Sequence, residues 1–319
     1  MKTLSDKETV QSTVKASRLY GDYMIMLIAP CVLALWHYGA RALGVIAVSM
    51  AGAVFTDLIC CALFGKAFRL KDLSNLFIGT VIALMMPAGI PLHIPLFASA
   101  FAVAAVKQPF GGALRSPFVP AAAGFAFASV CFKEFIFDYS YNSADKLIGE
   151  YSLGALLTQG NAVYLDAVNA LDIFSGNVAG PMGTGCGLLM AASCVFLLVR
   201  RKGALFTTAG FVVACAVFAA IFPRVNASAL TSVVLELSAG SLLFAAVFLL
   251  TDYAATPRSV IARVISGAVC GVFCMLMRAV GTYEETVCFA VLLANGFTPL
   301  FNMAADWIDR RLKRKGSAA

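Results

Sequence analysis

The chain has 319 residues, 61% of them hydrophobic and only 13% charged, and a mean hydropathy of +0.86, so it lacks the polar surface of a water-soluble globule. A net charge of +7 would suit a nucleic-acid binder, but the basic residues stand in short stretches between apolar runs, so no nucleic acid is expected as a partner. The ten cysteines fall mostly inside apolar segments with no CxxC pair, as small core residues do; Cys60 with Cys61 and Cys270 with Cys274 are the only groupings that suggest an iron–sulfur ligand.

Residues 1–21 are polar and lack an apolar core followed by a small-residue cleavage site, so they are predicted to remain as a cytoplasmic N-terminal segment. Residues 22–136 then hold five apolar runs, at 22–38, 42–64, 74–88, 90–106 and 117–136. A more polar stretch, 137–179, is predicted to be an extracytoplasmic loop. Residues 180–304 hold five further runs, at 180–199, 203–222, 230–250, 259–277 and 284–304, and 305–319 form a basic cytoplasmic tail. Runs approaching the ~20 residues that cross a bilayer predict an all-α polytopic membrane protein of about ten transmembrane helices. Pro87, Gly89, Pro91 and Pro95 interrupt the third and fourth runs and predict broken or re-entrant helices there.

The basic residues orient these runs. With the N-terminus inside, only Arg41, Lys133, Lys146, Arg224 and Arg278 of the 24 fall outside, and the other 19 fall inside. Both termini are therefore expected in the cytoplasm. Five runs precede the long loop and five follow it, and LSNLFIGTVIALMMP at 73–87 is similar to LSAGSLLFAAVFLLTDYAATP at 237–257. Because five is odd, a five-helix repeat must be inverted, which places a binding site near the midplane at interrupted helices.

Three features bear on chemistry. LDIFSGNVAGPMGTGCGLL, at 171–189, carries Gly176, Asn177, Gly180, Gly183 and Thr184 just before the sixth run. Helix-terminal amides approached closely at such glycines suit a phosphate, although a glycine-rich connection that only lets helices approach has the same composition. KQPFGGALRSPFVPAAAG, at 107–124, packs Gly111, Gly112 and Pro117 among further prolines and predicts irregular backbone that docks a partner or lines a cofactor pocket, or else a tight connection. Asp57 and Glu236 lie inside apolar runs, where a carboxylate is costly, and are candidates for an ion path. Asp57 is near enough to Lys66 or Arg69 in sequence to pair with one of them instead. No HExxH, Walker loop, GxSxG elbow or Ser/His/Asp set is present, so no catalytic residue or metal site is assigned.

Five blocks in order, DLSNLFIGTVIALMMP at 72–87, KQPFGGALRSPFVPAAAGFAF at 107–127, LDIFSGNVAGPMGTG at 171–185, TDYAATP at 251–257 and GTYEETVCFAVLLANGFTPL at 281–300, span nearly the whole chain. Together they resemble the RnfD/NqrB family: the D subunit of Rnf ion-translocating electron-transport complexes and the homologous B subunit of Na⁺-pumping NADH:quinone reductase. The resemblance implies a multi-pass subunit of the prokaryotic inner membrane, not catalytic alone. It would assemble with Rnf-like subunits of the A, E, G, C and B types, passing electrons on the ferredoxin/NADH side in step with Na⁺ or H⁺ movement. It also implies flavin, commonly FMN joined through its phosphate to a threonine in a Ser-Gly-Ala-Thr type motif. No such motif occurs here, and Asp172 stands where the acceptor would be, so FMN or riboflavin held non-covalently is the expectation. A urea-transporter-like solute channel and a non-redox scaffold subunit are the competing functions.

Overall fold

A computed structural model of the chain describes residues 2–65, 72–139, 152–154, 157, 180–200, 203–224, 228–252, 256–281 and 285–316. Among them the chain is helical, with no strand. The first half contains α1 (Lys2–Tyr38), α2 (Ala40–Leu63), α3 (Leu73–Leu84), α4 (His93–Phe101) with a π-helical turn at Ala102–Lys107, α5 (Pro120–Cys131) and the short α6 (Lys133–Ile136). The second contains α7 (Gly187–Arg200), α8 (Leu205–Ile221), α9 (Ala229–Ser238), α10 (Leu242–Phe248), α11 (Val260–Val280), α12 (Val287–Gly296) and α13 (Thr298–Gly316).

Local chemistry sets several of these ends. Asp72, Ser228 and Ser259 cap α3, α9 and α11 by accepting from the amides of Ser74, Thr231 and Ala262. Pro120 opens α5, where its missing N–H costs nothing. α9 and α10 meet at 63° through Ala239–Ser241, where Gly240 takes φ +62°, and α12 and α13 meet at 60°.

Leu19–Tyr38, Ala40–Leu63 and Val260–Val280 are long and apolar enough to cross a membrane, and each bent pair passes the same test as one span. Shorter apolar helices, Leu73–Leu84, His93–Lys107, Pro120–Cys131, Gly187–Leu197 and Leu205–Ile221, stand at the positions of the remaining apolar runs. The third run is cut short: the 12 residues of α3 rise only ~18 Å, because the chain leaves helix before Pro87. Large apolar side chains point outward along the long helices, among them Trp36, Phe55, Val213, Val217 and Ile221. Such a surface fits lipid as the solvent, and the molecule is a membrane protein with several apolar helices.

The ends of the bundle are defined by long-range contacts. Tyr20 and Tyr23 of α1 stack near Phe77 at the start of α3, and their hydroxyls donate to Asp252 (2.9 Å) and Thr251 just beyond α10. We refer to this as the tyrosine end. At the other, the glycine end, Tyr38 donates to the Gly180 carbonyl, and the Met182 and Gly183 amides donate to the Met86 and Leu84 carbonyls. The third helix of the first half therefore runs antiparallel to α9–α10.

α2 and α3 touch through backbone at Gly79, where a Cβ would lie 2.7 Å from the Met50 Cα, while Ser49 donates to the Gly79 carbonyl at 2.8 Å. Gly79→Val is expected to lower the stability of the purified protein by about 1–3 kcal/mol in a thermal melt, whereas Gly44→Ala, with nothing within 4 Å of the new methyl group, leaves the melt unchanged.

Candidate functional site

At the tyrosine end, three elements converge on Asp57 of α2. The Lys107 ammonium, 2% exposed, lies 3.4 Å from the Asp57 carboxylate, donates at 2.8 Å to Asp72 and reaches the Asn75 side-chain oxygen. The Asn75 amide donates to Asp57 at 2.9 Å, and the Gln108 amide donates to Asp57 as well. Consecutive residues reach one carboxylate because the π-helical turn, closed by the Gln108 amide on the Val103 carbonyl, widens the chain just before it. Burial opposes ionisation of Asp72, but the Lys107 charge and the hydrogen bonds from Lys107 and Ser74 outweigh it and hold this carboxyl below its usual range. Two carboxylates against one ammonium leave a formal charge of −1.

At the glycine end, Glu236 of α9 is gripped by two arginines. Arg224, just after α8, makes a forked contact with both carboxylate oxygens, at 2.5 and 2.6 Å. Arg278, near the end of α11, lies 3.5 Å from Glu236 and donates to the Glu236 and Ala239 carbonyls, the last at 2.9 Å. Those carbonyls flank the α9–α10 break, so Arg278 supplies donors where the helix ladder stops. Glu285 completes the join by accepting from the Ser241 amide (2.7 Å) and hydroxyl. Glycine is required at position 240 here too, because a Cβ would collide with the Glu285 carboxylate.

Among the described residues, those singled out for a cofactor stand at opposite ends of the bundle. Gly111 (φ +85°) and Gly112 (φ +113°) turn the chain after Gln108, with the Gly112 amide donating to the Lys107 carbonyl at 3.0 Å, and Pro117 is exposed further along the same loop. Gly180, Gly183 and Thr184 lie at the opposite end of α3. There Gly183 packs against Leu84, where a Cβ would lie 2.7 Å from its side chain, and the amides of Met182, Gly183 and Thr184 are committed to the carbonyls of Met86, Leu84 and Pro181. The amides of Met182, Gly183 and Thr184 are therefore not free for a phosphate; those of Met182 and Gly183 satisfy the broken end of α3 instead. Gly176, Asn177 and Asp172 lie outside the described residues.

Comparison with known proteins bears on the whole chain. Residues 3–307 match the family described as NQR2, RnfD, RnfE. The chain belongs to this family. A relative from Acetobacterium woodii, the D subunit of the Na(+)-translocating ferredoxin:NAD(+) oxidoreductase complex, is 25% identical over 93% of this chain and 92% of its own length. The D subunit of an ion-translocating oxidoreductase complex from Halorhodospira halophila is 27% identical over 87% and 85%, and that of the proton-translocating ferredoxin:NAD(+) oxidoreductase complex from Clostridium ljungdahlii 24% over 94% and 93%.

Within this NQR2, RnfD, RnfE family chain, sequence reasoning found the two carboxylates but not their partners. Asp57 pairs with Lys107, whereas Lys66 and Arg69 lie outside the described residues. Lys107 and Arg278 read as loop charges in the sequence, yet both are buried. The available signal was polar residues at the end of an apolar run facing a carboxylate in another run, which only the fold brings together. Among the described residues no three His, Cys, Asp or Glu side chains could hold a metal ion. Cys60, Cys61, Cys270 and Cys274 are buried, with Cys61 accepting from Gln108 and Cys274 in contact with Thr286.

Lys107→Met leaves Asp57 and Asp72 without their counter-charge and is expected to cost about 3–5 kcal/mol in a denaturation series, a loss that Lys107→Met combined with Asp57→Asn partly restores. Because the Asp72 carboxyl is held low, its contribution is present above the ordinary Asp value of about 4 and disappears as pH falls through the lowered one. Melting temperatures of the parent and Asp72→Asn are expected to differ at neutral pH and to converge in acid.

Proposed function

We propose that the chain is the D-type membrane component of an ion-translocating Rnf electron-transport complex in the inner membrane of a prokaryotic cell. It works with the A, E, G, C and B type subunits, on the ferredoxin/NADH side of electron transfer, and is not catalytic alone. The observation that carries this reading is the family match across residues 3–307, joined to relatives named as the D subunit of such complexes over nearly their whole length.

Ten crossings in two inverted halves, with both termini cytoplasmic and 137–179 outside, belong to the same reading. It is supported by reciprocal contacts: α1 meets the end of α10 through Tyr20 and Tyr23, and the stretch before α7 meets the end of α3 through Met182 and Gly183. The charge clusters match in the same way. One joins the later part of α2, the start of α3 and the turn after α4; the other joins the end of α8, α9 and the end of α11. Asp57 and Glu236 then mark the two mouths of an ion path, each closed by a protein cation that a passing Na⁺ or H⁺ must displace. Among the described residues two carboxylates face the one Lys107 ammonium, an arrangement that favours cation uptake at the cytoplasmic mouth.

In vesicles carrying the whole complex, Glu236→Gln is expected to cut Na⁺ or H⁺ uptake per electron by at least about tenfold while the subunits remain assembled. Unchanged uptake would identify a scaffold, and a colourless, self-sufficient oligomer that equilibrates urea across liposomes would replace the redox role by a channel. FMN or riboflavin enters the proposal through the resemblance alone, held non-covalently. The denatured chain is accordingly expected at its unmodified mass of 33.6 kDa, with the complex's flavin colour released on denaturation; a flavin-sized mass increase on a peptide overturns that attachment.

A further inference from the structure

At the tyrosine end, outside both charge clusters, a cavity of about 340 Å³ is lined by Arg200, Arg258 and Arg263 together with Gly203, Ala204 and Thr256, and no carboxylate is among its lining residues. Two helices begin at this cavity. α8 starts after Ala204 with no side-chain cap, and α11 starts after Ser259, so the positive ends of both helix dipoles add to the three guanidinium groups. The hydroxyls of Thr251 and Thr256 already donate to the Val247 and Asp252 carbonyls, which leaves the arginines as the donors. Arg263 donates from its Nε to the Pro257 carbonyl, and Arg200 stands 3.7 Å from Asp22 at the rim. Arg258 makes no side-chain hydrogen bond or ion pair among the described residues, and its guanidinium is exposed.

A second concavity lies along the same pair of helices. An apolar groove of about 540 Å³ runs down the seam of α8 and α11 between Phe206, Val213, Val217, Val264 and Val272, over a floor that includes Gly210 and Ala268. The floor is shallow because the helices approach to backbone contact, a Cβ at Gly210 lying 2.6 Å from the Val264 carbonyl. The walls are outward-facing, Val213 at 60% exposure. The groove begins at Phe206 and Val264, next to Ala204 and Arg263 of the cavity.

A cationic cavity at the end of an apolar groove, on the outer surface of a membrane protein, has the shape and charge order of a phospholipid with an anionic headgroup. We propose that this seam is a specific binding site for one anionic phospholipid, its phosphate held by Arg200, Arg258 and Arg263 and an acyl chain lying in the groove. Planar guanidinium groups suit phosphate oxygens, and the combined volume exceeds what a lone phosphate would fill. The site lies apart from Asp57 and Glu236, so its test reads out independently of ion transport.

The test is retention of lipid by the purified complex after detergent exchange, read by mass spectrometry with phosphatidylglycerol and phosphatidylcholine offered in equal amounts. The parent is expected to keep phosphatidylglycerol in preference. Arg200→Gln with Arg258→Gln should weaken retention on the order of tenfold, and Ala268→Phe, which fills the groove without touching the cavity, should weaken it too, with assembly of each variant checked by gel filtration. Equal retention of both lipids, or equal retention by all variants, overturns the proposal. So does full displacement by millimolar inorganic phosphate, which would assign the cavity to a soluble anion, or a cross-link from Ala268→Cys to a helix of another protein in the complex, which would assign the groove to protein.

Discussion

An ammonium group left only 2% exposed inside a lipid-facing bundle must be neutralised where it stands, and the first half of the molecule is arranged around doing so for Lys107. Meeting that demand draws Asp57 from α2, Asp72 and Asn75 from the start of α3, and Gln108 from the turn after α4 into one cluster, fixing how three helices end relative to each other. The second half meets the same demand with the signs exchanged, one carboxylate of α9 held between two guanidinium groups. Neither cluster could form on a single helix, so each charge is tolerable only in the assembled bundle.

The interrupted helices follow from the same constraint. α3 and α9 stop short of a full crossing, and each leaves carbonyls that lipid cannot satisfy. The chain answers with local donors: the Met182 and Gly183 amides at the end of α3, and Arg278 at the break between α9 and α10. In the described part of the glycine-rich block, the Met182 and Gly183 amides close the end of α3 while Gly183 packs against the Leu84 side chain.

Much of this order is legible in the sequence. Apolar runs locate the helices, and Pro87 and Pro91 mark the short third one, because proline acts locally. The break at Ala239–Ser241 is not legible, since a single Gly240 in an apolar run resembles any helix-packing glycine until Glu285 is seen beside it. Asp57 and Glu236 announce themselves as costly charges in apolar surroundings, whereas Lys107 and Arg278, at run ends, look like charges that merely orient the chain. The glycine block is recognisable as a place of close approach, but composition does not say what approaches. The arginine cavity draws on residues from Arg200 to Arg263 that only folding assembles.

The hydroxyl contacts of α1 bear on how the protein is made. Tyr20 and Tyr23 find their partners 232 and 228 residues later in the chain. At ribosomal speeds of about 5–20 residues per second, the first helix waits roughly ten to fifty seconds before those partners have been synthesised. During that interval the nascent first half has only its own contacts, Ser49 with Gly79 and Lys107 with Asp57, to hold it in the bilayer. The fastening of the first helix to the end of α10 is therefore a late contact, available only once the second half of the chain has largely been made, although α11, α12 and α13 still follow it.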